Sequence, residues 1–234
     1  MTLKINNITK RFGQSVAVDQ LSLEIPSGEM FGMLGANGAG KTTTFRMMLG
    51  LLEPTEGEMT WKGEKIDYSR TNVIGYLPEE RGLYPKLKVR DQLIYLGRLK
   101  GMHKKDIITE MRMWLERFKV TDYETKRIEE LSKGNQQKIQ FIASVIHRPE
   151  LLILDEPFSG LDPVNAELLK EAVIDLKMKG TTIVFSSHRM DHVEELCQHL
   201  CILRHGTPVV KGELREIKRS FRNKFIVIEG ERSF

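Results

Sequence analysis

Gly35-Ala36-Asn37-Gly38-Ala39-Gly40-Lys41-Thr42 is the stretch on which the reading of this chain turns. It fits the pattern G-x-x-x-x-G-K-[ST]. Before it stands Met30-Phe31-Gly32-Met33-Leu34, an apolar run of the length and composition expected of a strand buried on both faces; after it the pattern turns helical. In a strand–loop–helix context the glycines let the backbone curl so that successive amide N–H groups face inward. The helix start adds its partial positive charge. A polyphosphate fits such a cradle. Lys41 is expected to reach the terminal phosphates and Thr42 to offer a hydroxyl to a divalent cation, with Thr43 at the same loop-to-helix junction.

Working outward, Leu3 and Ile5, then Leu21, Leu23 and Ile25, alternate with polar residues and predict two half-exposed strands around the turn-like Arg11-Phe12-Gly13. Pro26-Ser27-Gly28-Glu29 marks the turn into Met30. Beyond the loop, Glu53 to Glu58 breaks the helix, and short strand-like pieces follow through Val73-Ile74-Gly75-Tyr76-Leu77. From Pro85 to His147 the spacing of Leu93, Leu96 and Leu99, then Met111, Leu115 and Phe118, is helical. Leu151 to Leu154 returns to strand character, Pro163 to Lys179 reads as helix, and Thr181 to Phe185 as strand. Alternating strands and helices predict an α/β core with a mostly parallel sheet flanked by helices, interrupted by a helical subdomain. The expected division is 1–78 with 150–212 as core, 79–149 as the helical unit, and 213–234 as the start of a C-terminal extension. There Phe225-Ile226-Val227-Ile228 begins a strand with almost no chain left to pair with it, as in a truncated extension.

Composition limits the function classes. The 234 residues are 40% apolar and 29% charged, enough for a sizeable core. No apolar run approaches the roughly 18 to 20 residues that span a bilayer, and the start lacks a secretory signal, so a cytoplasmic location is expected. The net charge of +4 permits contact with phosphate or anionic lipid and argues for neither. Cys197 and Cys201 stand among His192 and His199, but the paired C-x-x-C of structural zinc is missing and Cys197 and His199 fall on different faces of an expected helix. They read as reduced, mostly buried thiols.

At the end of the apolar run Leu151 to Leu154 come Asp155-Glu156-Pro157, two carboxylates at the sheet edge where open α/β folds bind ligands. Asp155 suits a metal ion, directly or through water. Glu156 suits the polarisation of an attacking water.

Taken together these segments resemble the ATP-binding cassette (ABC) ATPases. Leu131-Ser132-Lys133-Gly134-Asn135-Gln136-Gln137-Lys138 is similar to the family's signature, Phe158-Ser159-Gly160-Leu161-Asp162 to its D-loop, and His188 after Ser186-Ser187 to its switch histidine. The resemblance implies a P-loop NTPase core with an N-terminal antiparallel β-subdomain and an inserted helical subdomain. It also implies ATP and Mg²⁺ as cofactors. Phe12 would stack on adenine with Val18 as an apolar flank, and Gly35, Asn37, Gly38, Ala39, Gly40, Lys41, Thr42 and Thr43 would bind the phosphates. Ser132, Lys133, Gly134 and Asn135 would clamp the γ-phosphate of a nucleotide held by a second cassette, like or unlike this one, packed head to tail. Glu156 and His188 would be catalytic. Thr42, Asp155 and Glu79 would hold the metal.

The match departs from the family at three points. Glu79 stands where most cassettes have a glutamine that touches Mg²⁺ and senses the membrane partner, Lys133 replaces a glycine, and Asn135 replaces a glutamine. The runs Leu77 to Pro85 and Pro157 to Asn165 look most like ATPases of sodium-extrusion and drug or lipid efflux systems. The implied function is ATP hydrolysis driving export through a separate permease, at the inner face of the membrane. The alternatives are an importer subunit, a cassette that holds ATP without hydrolysing it, and a soluble ABC ATPase acting on ribosomes or DNA. The last kind carries twin cassettes, coiled-coil arms or zinc modules, and none is visible. The basic run Arg215, Lys218, Arg219, Arg222 and Lys224 reads as a solvated helix face, and no nucleic-acid partner is expected.

Overall fold

The computed structural model describes residues 2–80 and 82–221. In chain order its elements are β1 (Thr2–Phe12), β2 (Ser15–Pro26), β3 (Met30–Leu34), α1 (Lys41–Met48), β4 (Glu56–Trp61), β5 (Glu64–Lys65), β6 (Ile74–Leu77), α2 (Val89–Leu99), α3 (Lys104–Arg117), α4 (Lys133–Val145), β7 (Leu151–Leu154), α5 (Pro163–Met178), β8 (Thr182–Ser187), α6 (Met190–Leu196), β9 (His199–Arg204), β10 (Thr207–Glu213) and α7 (Leu214–Phe221).

Two sheets result. One is antiparallel in the order β2-β1-β4-β5; the other runs β10-β9-β3-β8-β7-β6, parallel except for β10. β3 and β7 have no exposed position, so their side chains divide between two cores. Phe31, Met33, Leu151 and Ile153 join Leu3, Ile25 and Trp61 between the sheets, with Phe45 and Met48 of α1 in the same layer. Leu152 and Leu154 turn the other way, toward Leu93, Trp114, Phe141 and Leu169 on the helices. Covering both faces is what forces the apolar runs of this sheet.

Two boundaries differ from expectation. β8 continues two residues past Phe185, because pairing of Met33 with Ser186 and Leu34 with Ser187 keeps those polar residues in the ladder. The expected helix through Cys197 and His199 ends at Leu196. Cys197 is extended, and His199 opens β9 by pairing beside Phe31. The two thiols thus sit on opposite sides of the sheet, Cys201 between the sheets and Cys197 on the helical side, where burial pushes both well above the ordinary thiol value. The basic run is a short amphipathic helix as expected, α7: Arg215, Lys218 and Arg219 are exposed, Leu214 is buried, Ile217 packs against the core, and Lys218 pairs with Glu194 at 2.8 Å. The strand expected at Phe225 to Ile228 lies outside the described residues.

Candidate functional site

Register decides where the site forms. Leu34 lies beside Ser187, and Leu154 beside Phe185, so the chain leaves β3, β7 and β8 at neighbouring points on the carboxyl edge of the parallel sheet.

The loop after β3 is fixed by backbone contact. A Cβ on Gly35 would stand 2.6 Å from the Leu203 carbonyl oxygen, and one on Gly40, whose φ is +102°, 2.6 Å from that of Ala17. Neither approach admits a side chain. The Gly206 N–H donates to the Ala39 oxygen at 3.0 Å and locks the curl to the β9–β10 turn. Asn37 and Gly38 are exposed at its tip. Lys41 is buried, and its ammonium donates to the oxygens of Gly35 (2.6 Å) and Ala36 (3.2 Å), which centres a positive charge inside the curl. Thr42 and Thr43 are half-buried in the first turn of α1.

From Thr42 an unbroken series of polar contacts crosses the sheet edge. The Thr42 hydroxyl donates to Asp155 Oδ2 at 3.2 Å; Ser186 donates to Asp155 Oδ1 at 2.6 Å; the Glu156 N–H donates to Ser186 Oγ at 2.9 Å; and Glu156 Oε2 lies 3.0 Å from His188 Nδ1. Glu156 itself has φ +49°, a conformation that non-glycine residues rarely hold. The sequence alone gives Ser186 no role beyond marking the histidine. Its signal was there: a serine one step past Phe185 must stand beside Asp155 once β7 and β8 pair in parallel.

The signature residues lie elsewhere. Ser132 caps α4, with its Oγ accepting from the Asn135 N–H at 3.4 Å, while Asn135 Nδ2 donates to the Tyr123 hydroxyl at 3.2 Å. Ser132 and Lys133 are exposed, and Gly134 faces Leu161 and Asn165 at ordinary contact distance. Among the described residues no hydrogen bond joins them to the loop 35–42. Next to them Ser159 and Gly160 are exposed, Leu161 is half-buried, and Asp162 caps α5 by accepting from the Asn165 N–H at 3.0 Å. That bond holds the Asp162 carboxyl below the usual carboxylate range.

A family model described as ABC transporter matches residues 18–159. The chain belongs to this family. It is 99% identical over 202 residues to an ABC transporter ATP-binding protein of Alkalihalophilus pseudofirmus, a match covering 86% of this chain and 76% of that one. It is 36% identical over 216 residues to a Nod factor export ATP-binding protein of Sinorhizobium fredii, covering 91% of this chain and 63% of the relative. Among solved structures, the ATP-binding subunit of an ABC transporter superposes with a TM-score of 0.88 at 28% identity, covering 94% and 93% of the two chains. This protein is therefore the ATP-hydrolysing subunit of an ABC transporter. Among its described residues no helix is long and apolar enough to cross a membrane.

Phe12 ends β1 with 53% of its surface exposed and the Lys10 ammonium 5.4 Å from its ring centre, so it has a free face. Val18, in contrast, is 0% exposed: it packs under Gly40 and supports the loop from below, which removes it as an apolar flank for a base. Its neighbours Val16 and Ala17 are half-exposed. The strand alternation seen at Leu21 and Leu23 continues back to Val18 only through irregular register, which obscures the inward-facing parity in the sequence.

Glu79 is exposed beyond the end of β6. Its charge and that of Asp155 both act on Tyr76, whose hydroxyl is pushed up to about 12, chiefly by burial. The neighbouring backbone is held by Gln140 of α4. For a divalent cation the donor set fits a hard ion: the Thr42 hydroxyl and a buried carboxylate stand together, with Ser186 taking only one carboxylate oxygen. Among the described residues no group of three His, Cys, Asp or Glu side chains is placed to hold a metal ion.

Proposed function

We propose that the subunit hydrolyses ATP in a head-to-tail dimer beneath a separate membrane-spanning partner and that the cycle drives export. The observation that carries this reading is the polar series Thr42–Asp155–Ser186–Glu156–His188 running beside the phosphate loop. Lys41 and the loop amides bind the triphosphate, and Phe12 offers its ring to the base. The Glu156 carboxylate takes the proton of a water whose oxygen attacks the γ-phosphorus as the bond to the ADP oxygen breaks, and His188 steadies the γ-phosphate. When bound with nucleotide, Mg²⁺ neutralises phosphate charge; Thr42, Asp155 and Glu79 are the residues to hold it.

Ser132, Lys133, Gly134 and Asn135, placed at an exposed helix start away from their own loop, suit a phosphate held by a second cassette, with Ser159 to Asp162 alongside. A membrane partner has an apolar seat in the groove of about 230 Å³ lined by Tyr76, Pro78, Leu83, Leu96 and Leu99, which opens beside the Glu79 loop. Placement at the inner membrane face follows from that partner. Export rests on the relative named for Nod factor export.

The test is direct. The purified chain is to bind Mg·ATP and turn it over, a membrane protein is to copurify with it, and inside-out vesicles carrying both are to accumulate the substrate. No affinity at millimolar nucleotide ends the reading, and ATP-driven release from such vesicles reverses the direction.

A further inference from the structure

Helix α4 carries two buried glutamines three residues apart, and each reaches a different loop of the site. Gln137 Nε2 donates to the Pro157 oxygen at 3.2 Å. Gln140 Nε2 donates to the oxygens of Pro78 (3.2 Å) and Glu80 (3.1 Å). Their exposures are 6% and 4%, and the spacing puts both on one helix face. The loops they hold are the two that carry Glu156 and Glu79.

The turn at Glu156 leaves few ways to fix a carboxylate. Pro157 has no N–H to give, and Glu156 sits at φ +49°. Its backbone has three tethers: Glu156 N–H to Ser186 Oγ, Ser159 N–H to the Glu156 oxygen at 3.1 Å, and Gln137 to the Pro157 oxygen. The first comes from β8 and the second from the turn itself. Of these three, the Gln137 bond is the one that ties the turn to the helix whose first residues are the signature. At Gln140 the Oε1 atom is buried and has no hydrogen-bond partner among the described residues, so as core filling this amide is worse than a methionine of the same length.

We propose that Gln137 and Gln140 are positioning residues through which α4 sets the aim of Glu156 and the placement of Glu79. The proposal rests on Glu156 being the base. Since Ser132 and Asn135 open the same helix, a displacement of α4 on meeting the nucleotide of a second cassette reaches both loops of its own site through two amide groups. The signature of one site and the hydrolysis of the other are in this way mechanically joined within one chain.

The test uses the full chain and Mg·ATP. Gln137→Met keeps the volume and removes the donor; kcat is expected to fall about tenfold, with KM and ATP affinity within about twofold of wild type. Gln140→Met is expected to raise the Mg²⁺ concentration for half-maximal turnover by about tenfold. Gln137→Glu keeps the shape but donates only when protonated, so its kcat relative to wild type should climb as pH falls from about 8 to about 6, burial having raised its pKa. In a Glu156→Gln background, Gln137→Met should cost nothing more, because its effect runs through the missing carboxylate. Wild-type turnover by Gln137→Met, a parallel loss of kcat, affinity and thermal midpoint, or a flat pH ratio for Gln137→Glu would each overturn the proposal. Full turnover by Glu156→Gln alone would instead remove the base assignment on which it stands.

Discussion

His188 Nδ1 lies 3.0 Å from Glu156 Oε2, with the histidine side chain 64% exposed and the glutamate 10%. The carboxylate is enclosed by the protein and the imidazole faces solvent. Glu156→Gln is therefore expected to lower ATP turnover by roughly 10²-fold or more while ATP binding and nucleotide-dependent dimerisation persist. Steady-state turnover beside equilibrium binding of ATP measures both. Unchanged turnover would place the base elsewhere.

Ser186 serves two groups at once, donating to Asp155 and accepting from the Glu156 N–H. Ser186→Ala leaves a buried carboxylate oxygen and a backbone donor without that partner. A loss of about 1–3 kcal/mol in stability is expected, with turnover down about tenfold and more Mg²⁺ needed for half-maximal rate. Urea unfolding and a Mg²⁺ titration of the rate read the two effects. A variant matching wild type in both would show that Asp155 and Glu156 are held without it.

Glu79 and Asp155 both place negative charge near Tyr76. Glu79→Gln should lower that charge, changing the Mg²⁺ concentration for half-maximal turnover by about threefold or more while leaving the fold intact. Identical Mg²⁺ titrations and turnover for the two proteins would remove Glu79 from the metal site.

Burial, aided by the Lys100 ammonium, pushes the imidazole of His147 from 6.5 down to about 4, with Nε2 3.2 Å from the Ile74 oxygen. Between these values the unfolded chain takes up a proton that the folded chain refuses. The associated stability is fully present above pH 6.5 and is lost as pH falls toward 4, to a total of about 3 kcal/mol. Chemical denaturation of wild type and His147→Gln across that range should converge or cross as pH falls. Parallel profiles would mean that His147 does not titrate in this way.

Much of this was legible in the sequence because the strongest constraints were local. The loop 35–42 needs its glycines at Gly35 and Gly40 for contacts that any folded version must make, and the apolar runs at Met30 and Leu151 had to be strands covered on both faces. What escaped was set by pairing across long separations. Ser186 gained its partners only when β8 lay beside β7, and Gln137 only when α4 packed against the turn after β7. The inward parity of Val18 depends on irregular register between β1 and β2, which alternation alone does not locate. Cys197 and His199 misled because a short helix ends and a sheet strand begins within three residues, the strand drawn in by the free edge of β3.

The left-handed backbone at Glu156 has a practical side for anyone making an inactive form of this subunit. Asparagine, aspartate and glycine enter that region readily, whereas valine, isoleucine and threonine resist it. A hydrolysis-dead protein meant to trap a complex in its native shape is better made with Asn or Gly at this position than with a β-branched residue. With the latter, a missing chemical group and a displaced loop would be indistinguishable in the assay.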